Sequence, residues 1–526
     1  MAAFLTMSST PKSAPGLFKS LGSVSGVTLL SRVLGYLRDM VIAVSFGASA
    51  GTDVFFVANR IPNFLRRLFG EGAFSQAFVP ILSDYQQNRA DEVKDLIDHV
   101  VGLLFLVVTV ITLIAVLAAP WLVVLVAPGF SDDPEKLEFT SDLLRITFPY
   151  LVMISLSAAS MAILNSRGVF AAPAFSPVLL NVSMILSAWF LADLFPEPLR
   201  VTALAWGVFF GGVAQLVWQV PFLLKIGLMP RLRFKAGHAG VKRVLTLMIP
   251  TLFGAGVAQI NLLFDTFLAS FLESGSISWL YYSDRLLEFP LGVFGIALAT
   301  VMLPDLSRRY ASDDHQGFAQ VLEWSSRLGI LIGLPAAAAL AVLATPMLST
   351  LFQYGAFDAD GVRGATLSLW AYAPGLLGAM LVKLYAPGFF ARQNTRTPVR
   401  IGIIALVSNM VLNLIFIWPL QHAGLALATS LAAFLQAWLL YRGLVAQQIF
   451  SFSARGKALF LKSLAATLAM VGWLLWLAGQ IDWLVSGAQQ KISWLLLVVV
   501  SGAVVYGLLL VLLGVRRVDL SHSVGK

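Results

Sequence analysis

Apolar runs of about twenty residues, parted by short polar or Gly/Pro-containing breaks, recur along almost the whole chain. At 1.5 Å rise per helical residue, such a run matches the roughly 30 Å hydrocarbon core of a bilayer. Fourteen windows are predicted as membrane-spanning helices: 21–45, 54–80, 98–127, 141–164, 174–194, 201–224, 244–272, 278–304, 324–349, 364–390, 399–418, 423–441, 460–479 and 493–514. The pattern therefore predicts an all-α polytopic membrane protein with about 14 transmembrane helices. An even number puts both ends of the chain on one side.

Charge placement selects that side. With both termini inside, the inner segments carry 23 of the 36 Lys and Arg, and the outer loops carry only Lys136, Arg200, Arg363 and Lys491. The remaining nine lie within or at the ends of windows. KIGLMPRLRFKAGHAGVKR, between the sixth and seventh windows, holds six basic residues and no acid. The bias toward inner basic residues predicts cytoplasmic termini.

A repeat underlies the windows. FFVANR (55–60) is followed, with 19 residues between, by PILSDY (80–85), and YYSDR (281–285) is followed, with 18 between, by PDLSRRY (304–310). ALAWGVF (203–209) resembles ALATSLA (426–432). Six windows per copy predict two pseudo-symmetric lobes related by an axis along the membrane normal, as in transporters whose site lies between halves. The expected organisation is a cytoplasmic segment 1–20, an N-lobe 21–226, a basic loop 227–243, a C-lobe 244–445, two further helices in 446–515 and a tail 516–526. Trp473, Trp476, Trp483 and Trp494 in that last pair read as membrane-belt tryptophans.

Composition agrees and narrows the chemistry. The chain is 58% hydrophobic and 12% charged, against about 25% charged in soluble domains. With no cysteine, disulfides and thiolate chemistry are excluded. His99, His238, His315, His422 and His522 show no H-x-x-x-H or H-x-x-E-H spacing, which argues against a histidine metal site. The net charge of +9 follows topology rather than a nucleic-acid patch. No cleavable signal peptide is evident near the N-terminus. RGKAL at 455–459 lacks the glycine spacing of a phosphate-binding loop, so no ATP site is expected.

What remains are charges inside the windows. RIPNFLRRLFGEGAFSQAFVP (60–80) carries Arg60, Arg66, Arg67 and Glu71, each costly at the bilayer centre. Arg32 and Asp39 share a helical face in the first window, with Arg38 beside it. Arg67 and Glu71 are spaced to pair, and SDRLLEFP places Asp284, Arg285 and Glu288 in the eighth window. A polar, net cationic cavity between the lobes accounts for these charges jointly. Guanidinium groups match phosphate in a two-pronged way that lysine does not. The residues thus point to a transporter of a phosphate- or carboxylate-bearing amphiphile.

SRVLGYLRD (31–39), GTDVFFVANRIPNFLRRLFGEGAFSQAFVP (51–80), YYSDRLLEFPLGVFGIAL (281–298) and LVKLYAPGFFARQNTRTPV (381–399) closely resemble the MviN/MurJ family. These are lipid II flippases of the multidrug/oligosaccharidyl-lipid/polysaccharide (MOP) exporter superfamily. The likeness runs from about residue 17 to about 515. It implies a V-shaped pair of six-helix lobes, with the last two helices forming a groove for the polyprenyl tail. It implies that Arg32, Arg38, Arg66 and Arg285 meet the pyrophosphate and peptide carboxylates of lipid II. Asp39, Asp53, Glu71 and Glu288 would serve as their charge partners or as gate residues. A sodium site in some members maps onto Asp265, Asn409, Asn413 and Thr429, with the Leu425 carbonyl; Asn413 stands where that pattern has an acid. The expected activity is transport without catalysis: lipid II moves from the cytoplasmic to the periplasmic leaflet of a bacterial inner membrane by alternating access. Membrane lipid and cell-wall synthesis or division proteins are the expected further partners. Another MOP exporter of an undecaprenyl-linked oligosaccharide is the alternative; an enzyme acting on the same lipid and a division scaffold are the rivals of other classes.

Overall fold

The computed structural model describes residues 15–67, 73–234 and 237–516, with the side chains of 15–25, 73, 250–258 and 296 left aside. Among the described residues the regular structure is helical, without strands. The helices are α1 (Pro15–Phe46), α2 (Ala50–Arg66), α3 (Ala73–Asn88), α4 (Val93–Leu117), α5 (Ala119–Val126), α6 (Pro134–Thr147) and α7 (Tyr150–Ser166). There follow α8 (Ala171–Phe190), α9 (Thr202–Lys225), α10 (Ala239–Ala269), α11 (Ser276–Pro290), α12 (Ile296–Ala311) and α13 (His315–Val342). The last are α14 (Ala344–Phe352), α15 (Ala359–Tyr372), α16 (Gly375–Phe390), α17 (Arg396–Ala446), α18 (Ala454–Ala478) and α19 (Ala488–Leu512).

Nine helical stretches among the described residues are long and apolar enough to cross a membrane, or ten if α15 and α16, bent by 42°, form one span. The fourteen windows exceed that count for visible reasons. The second window is split between α2 and α3, each shorter than a bilayer span. The eleventh and twelfth fall in one 51-residue element, α17. At 1.5 Å per residue α17 would run about 77 Å if straight, but Gln421 adopts φ 50° and ψ −132° and breaks it. Pro419, two residues earlier, is the sequence sign of that break. Pro290 closes α11, and a π turn over Leu291–Gly295 leads into α12.

Helix starts follow capping chemistry. Asp314, Asp358 and Ser453 accept the N–H groups of Gly317, Gly361 and Gly456, satisfying donors that α13, α15 and α18 would otherwise leave bare. Outward-facing apolar side chains are abundant: Leu117, Trp418 and Leu512 are 82%, 84% and 79% exposed. In water this would be an uncovered hydrophobic surface; in a bilayer it is ordinary solvation by lipid.

The chain divides into two compact units, one of Met1–Val41, Ile61–Ala119 and Leu143–Gly256, the other of Ile42–Arg60, Pro120–Asp142 and Val257–Lys526. In the first, α8 packs on α9 at Gly211, where an added Cβ would fall 2.6 Å from a Leu180 methyl. In the second, α16 packs on α17 at Gly378, 2.9 Å from the Phe434 backbone nitrogen by the same measure. Small residues let helices approach this closely in membranes. The α18–α19 pair is fastened to α13 by Tyr506, whose hydroxyl donates to the Leu331 carbonyl at 2.8 Å. Trp476 is exposed as a belt residue should be. Trp483 is instead buried, its Nε1 donating to the Ala478 carbonyl at 2.8 Å.

Candidate functional site

The first unit builds its part of the site on α1 and α8. Arg38 donates from Nε and Nη2 to Asp39 Oδ1, at 3.0 and 2.7 Å. Its Nη1 donates to Asn181 Oδ1 at 3.0 Å. Asn181 is buried and turns its own amide N–H to the Ser31 carbonyl at 3.0 Å. One amide therefore grips both the guanidinium and the backbone about two turns earlier. Arg32 lies exposed on α1 and, among the described residues, has no hydrogen bond or ion pair; it does not join Asp39. Arg66 donates from Nε to Asn63 Oδ1 at 2.8 Å. Glu71 lies outside the described residues, and with it the expected pairing to Arg67.

Two assemblies in the second unit involve α11. Asp53, from the first turn of α2, accepts the Gly275 N–H on Oδ2 at 2.6 Å. Its Oδ1 accepts the Ser278 N–H at 2.8 Å and hydroxyl at 2.6 Å. Gly275 sits at φ 100° before α11, which has no side-chain cap of its own. Asp53 supplies that cap from a different helix, placing a negative charge at the positive end of the α11 dipole. Its partners are amides and a hydroxyl rather than an arginine.

Farther along α11, Arg285 donates from Nη1 to Glu288 Oε2 at 2.7 Å and from Nη2 to the Tyr281 hydroxyl at 3.3 Å. Its guanidinium carbon lies 4.9 Å from the Tyr281 ring centroid, within cation–π range. Tyr281 stacks in turn on Phe56 at 4.1 Å. The spacing 281, 285, 288 puts all three on one helical face, so the orientation of Arg285 is set within α11 and buttressed from α2.

The candidate cation residues come together in the second unit. Asn413 Nδ2 donates to Asp265 Oδ1 at 2.7 Å and to Asn409 Oδ1 at 2.9 Å. Asn409 Nδ2 donates to Thr429 Oγ1 at 3.2 Å, and that hydroxyl donates to the Leu425 carbonyl at 3.1 Å. Asn413 Oδ1 is buried and, among the described residues, has no hydrogen-bond partner. An oxygen-rich chain with one unmet buried acceptor has the chemistry a hard monovalent cation wants. Arg60 stands nearby, donating to Thr266 Oγ1 at 2.9 Å and acting electrostatically on Asp265.

A family model described as "Lipid II flippase MurJ" matches residues 42–489. The chain belongs to the MurJ family. A MurJ relative from Vibrio cholerae, named "Probable lipid II flippase MurJ", is 50% identical over 96% of this chain and 98% of its own. One from Burkholderia cenocepacia, "Lipid II flippase MurJ", is 42% identical over 90% and 92%. A solved structure titled "Lipid II flippase MurJ, inward closed conformation" superposes with a TM-score of 0.78 at 27% identity, covering 92% of this chain and 97% of that one. An inward-facing MATE transporter of the MOP superfamily matches at a TM-score of 0.66 with 15% identity, covering 81% and 95%; it shares the fold. MurJ is described as a flippase, a membrane transporter rather than a catalyst of covalent change.

Three residues of the site were not singled out from the sequence. Asn181 was the most readable, being a lone amide within the apolar window 174–194, where a buried polar side chain marks a partner. Ser278 and Tyr281 carried no such signal, because hydroxyls are common near helix starts and aromatics common everywhere in membrane helices.

Proposed function

We propose that this chain flips lipid II from the cytoplasmic to the periplasmic leaflet of a bacterial inner membrane by alternating access, with both termini cytoplasmic. In this reading Arg32, Arg38, Arg66 and Arg285 form a cationic cavity for the pyrophosphate and peptide carboxylates, while the polyprenyl tail stays in lipid beside α18 and α19. The observation that carries it is the way Arg38 and Arg285 are held. Each has one acid and one neutral partner in place, Asp39 with Asn181 and Glu288 with Tyr281. A guanidinium held in this manner keeps a set orientation, in which a phosphate can exchange with its carboxylate partner; that suits phosphate recognition better than a swinging ammonium. Burying such a charge in lipid without an anionic ligand would be costly.

Asp53 would act at the α2–α11 seam, where its carboxylate closes the helix start that leads to Arg285. Asp265, Asn409, Asn413 and Thr429 would hold a sodium-class ion. When bound, the ion would supply positive charge between α10 and α17. Cell-wall synthesis or division proteins are the proposed further partners.

The test is leaflet accessibility of labelled lipid II in cells depleted of this protein. Wild-type chain should restore outward exposure. Arg38→Ala and Arg285→Ala, at matched expression and membrane insertion, should not. Arg66→Lys should restore it in part. Full exposure with the alanine variants would overturn the reading, as would covalent alteration of lipid II by the purified protein.

A further inference from the structure

Far from the arginine clusters in the sequence, the segment joining α9 to α10 is fastened to the start of α4. His99 on α4 and His238, immediately before α10, stack with ring centroids 4.9 Å apart and planes 12° from parallel. His99 Nδ1 is 2.8 Å from the Asp95 carbonyl, to which it donates. His238 Nε2 lies 3.2 Å from Asp95 Oδ2, and its Nδ1 accepts the Gly240 N–H at 3.2 Å. Both rings are largely buried.

Charged groups surround the pair: the Asp95 carboxylate also lies 3.4 Å from His99 Nδ1, and Arg233 Nε lies 3.8 Å from Asp98 Oδ2. On α4, Lys94 pairs with Asp98. From the joining segment, Arg233 Nη1 donates to Asp95 Oδ1 at 3.0 Å, and the Arg231 backbone N–H donates to Asp98 Oδ1 at 2.8 Å. From α3, Asp84 accepts Arg243 Nη1 at 2.8 Å. That hydrogen bond holds the Asp84 carboxyl below the usual carboxylate range, so this second fastening keeps its charge through neutral and mildly acidic pH. The Tyr85 side chain also reaches Gly240.

Asp95, His99 and His238 have the composition of a divalent-metal site, yet the arrangement is not built for one. Parallel stacked rings cannot both direct an in-plane lone pair at one ion, the His238 Nδ1 lone pair is taken by Gly240, and Arg233 occupies the carboxylate. What the arrangement does require is a particular protonation state. A second proton on His238 would set an N–H against the Gly240 N–H, and charge on both stacked rings would place like charges face to face.

We propose that His99, His238 and Asp95 form a proton-sensitive latch holding the α9–α10 connection on the start of α4. The latch is closed while His238 keeps its Nδ1 lone pair for Gly240, and is released when both rings are charged. Protons on the cytoplasmic side would thereby govern how firmly the connection is held.

The chain contains no cysteine, so Phe234→Cys, at an exposed position of the connection, takes a single spin label in the full-length protein in lipid nanodiscs. The mobile fraction of the label should rise severalfold as pH falls from about 8 to about 5, the range in which imidazole changes charge. A label at Val485→Cys should not respond. His238→Asn, which keeps an acceptor for Gly240, should keep the Phe234→Cys label immobile throughout, and His99→Gln, which removes the like-charge contact between the rings, should leave at most a reduced response. If His238→Asn frees the connection at every pH, His99→Gln decides. An immobile label at both pH values in the parent overturns the latch. So does a full pH response in His99→Gln, or an immobilisation that needs added zinc ion.

Discussion

Asn181 and Arg38, 143 positions apart in the chain, meet through an amide oxygen and a guanidinium N–H at 3.0 Å. The same amide donates to the Ser31 carbonyl, so Arg38 is referenced to the backbone of its own helix by way of α8. Asp39 alone would fix one edge of the guanidinium; Asn181 fixes the other.

Asn181→Ala should therefore impair recognition without removing charge. A hydrogen bond to a charged group contributes about 1.5–3 kcal/mol, which corresponds to roughly ten- to hundredfold in affinity. Lipid II affinity of the purified variant should fall by about that factor, with its melting temperature nearly unchanged. Unchanged affinity would show that Asp39 suffices.

Asp53→Asn should destabilise the protein almost as much as Asp53→Ala. The asparagine oxygen can satisfy one of the donors now shared between Gly275 and Ser278, but its NH2 then faces the other. Losing charge-assisted bonds in a buried setting costs about 3 kcal/mol. Thermal unfolding in detergent would reveal it, and a parent-like melt for the asparagine variant would contradict it.

Asn413→Asp should strengthen sodium binding. The substitution adds a second carboxylate next to Asp265 and Asn409. Sodium, and not potassium, should then raise the melting temperature in a concentration-dependent way, by more than in the parent chain. A response equal for both ions would indicate only general salt screening.

Asp314 gives a pH-dependent stability contribution with a definite sign. Its carboxyl is held below the ordinary carboxylate value, first by the Gly317 N–H that it caps at 2.8 Å and then by Arg309, also at 2.8 Å. A lowered folded-state value means that the stabilisation is complete above about pH 4 and is lost as pH falls through the folded value. Asp314→Ala should accordingly melt below the parent at pH 7, and the gap should shrink on acidification to about pH 3.

The helices were legible because hydrophobic run length is a local property, read directly from windows such as 98–127 or 460–479. Arg285 with Glu288 was legible too, being three residues apart on one helix. Asn181 with Arg38, and His99 with His238, depend on which helices lie together, and no spacing rule reaches across more than a hundred residues. The break inside α17 was legible as well: the windows 399–418 and 423–441 part on either side of Gln421, with Pro419 as the local sign. Asp53 was named only through the family resemblance, and its use as a cap for another helix was not legible at all, because backbone donors leave no mark in a sequence.

The Asp53 cap has a mechanical corollary. Its two oxygens serve the opening of α11 together, so drawing α2 away by even an ångström or two would strip a carboxylate, two amides and a hydroxyl of their partners in one event. A seam fastened in that manner resists small strains and yields abruptly, more like a snap than a spring.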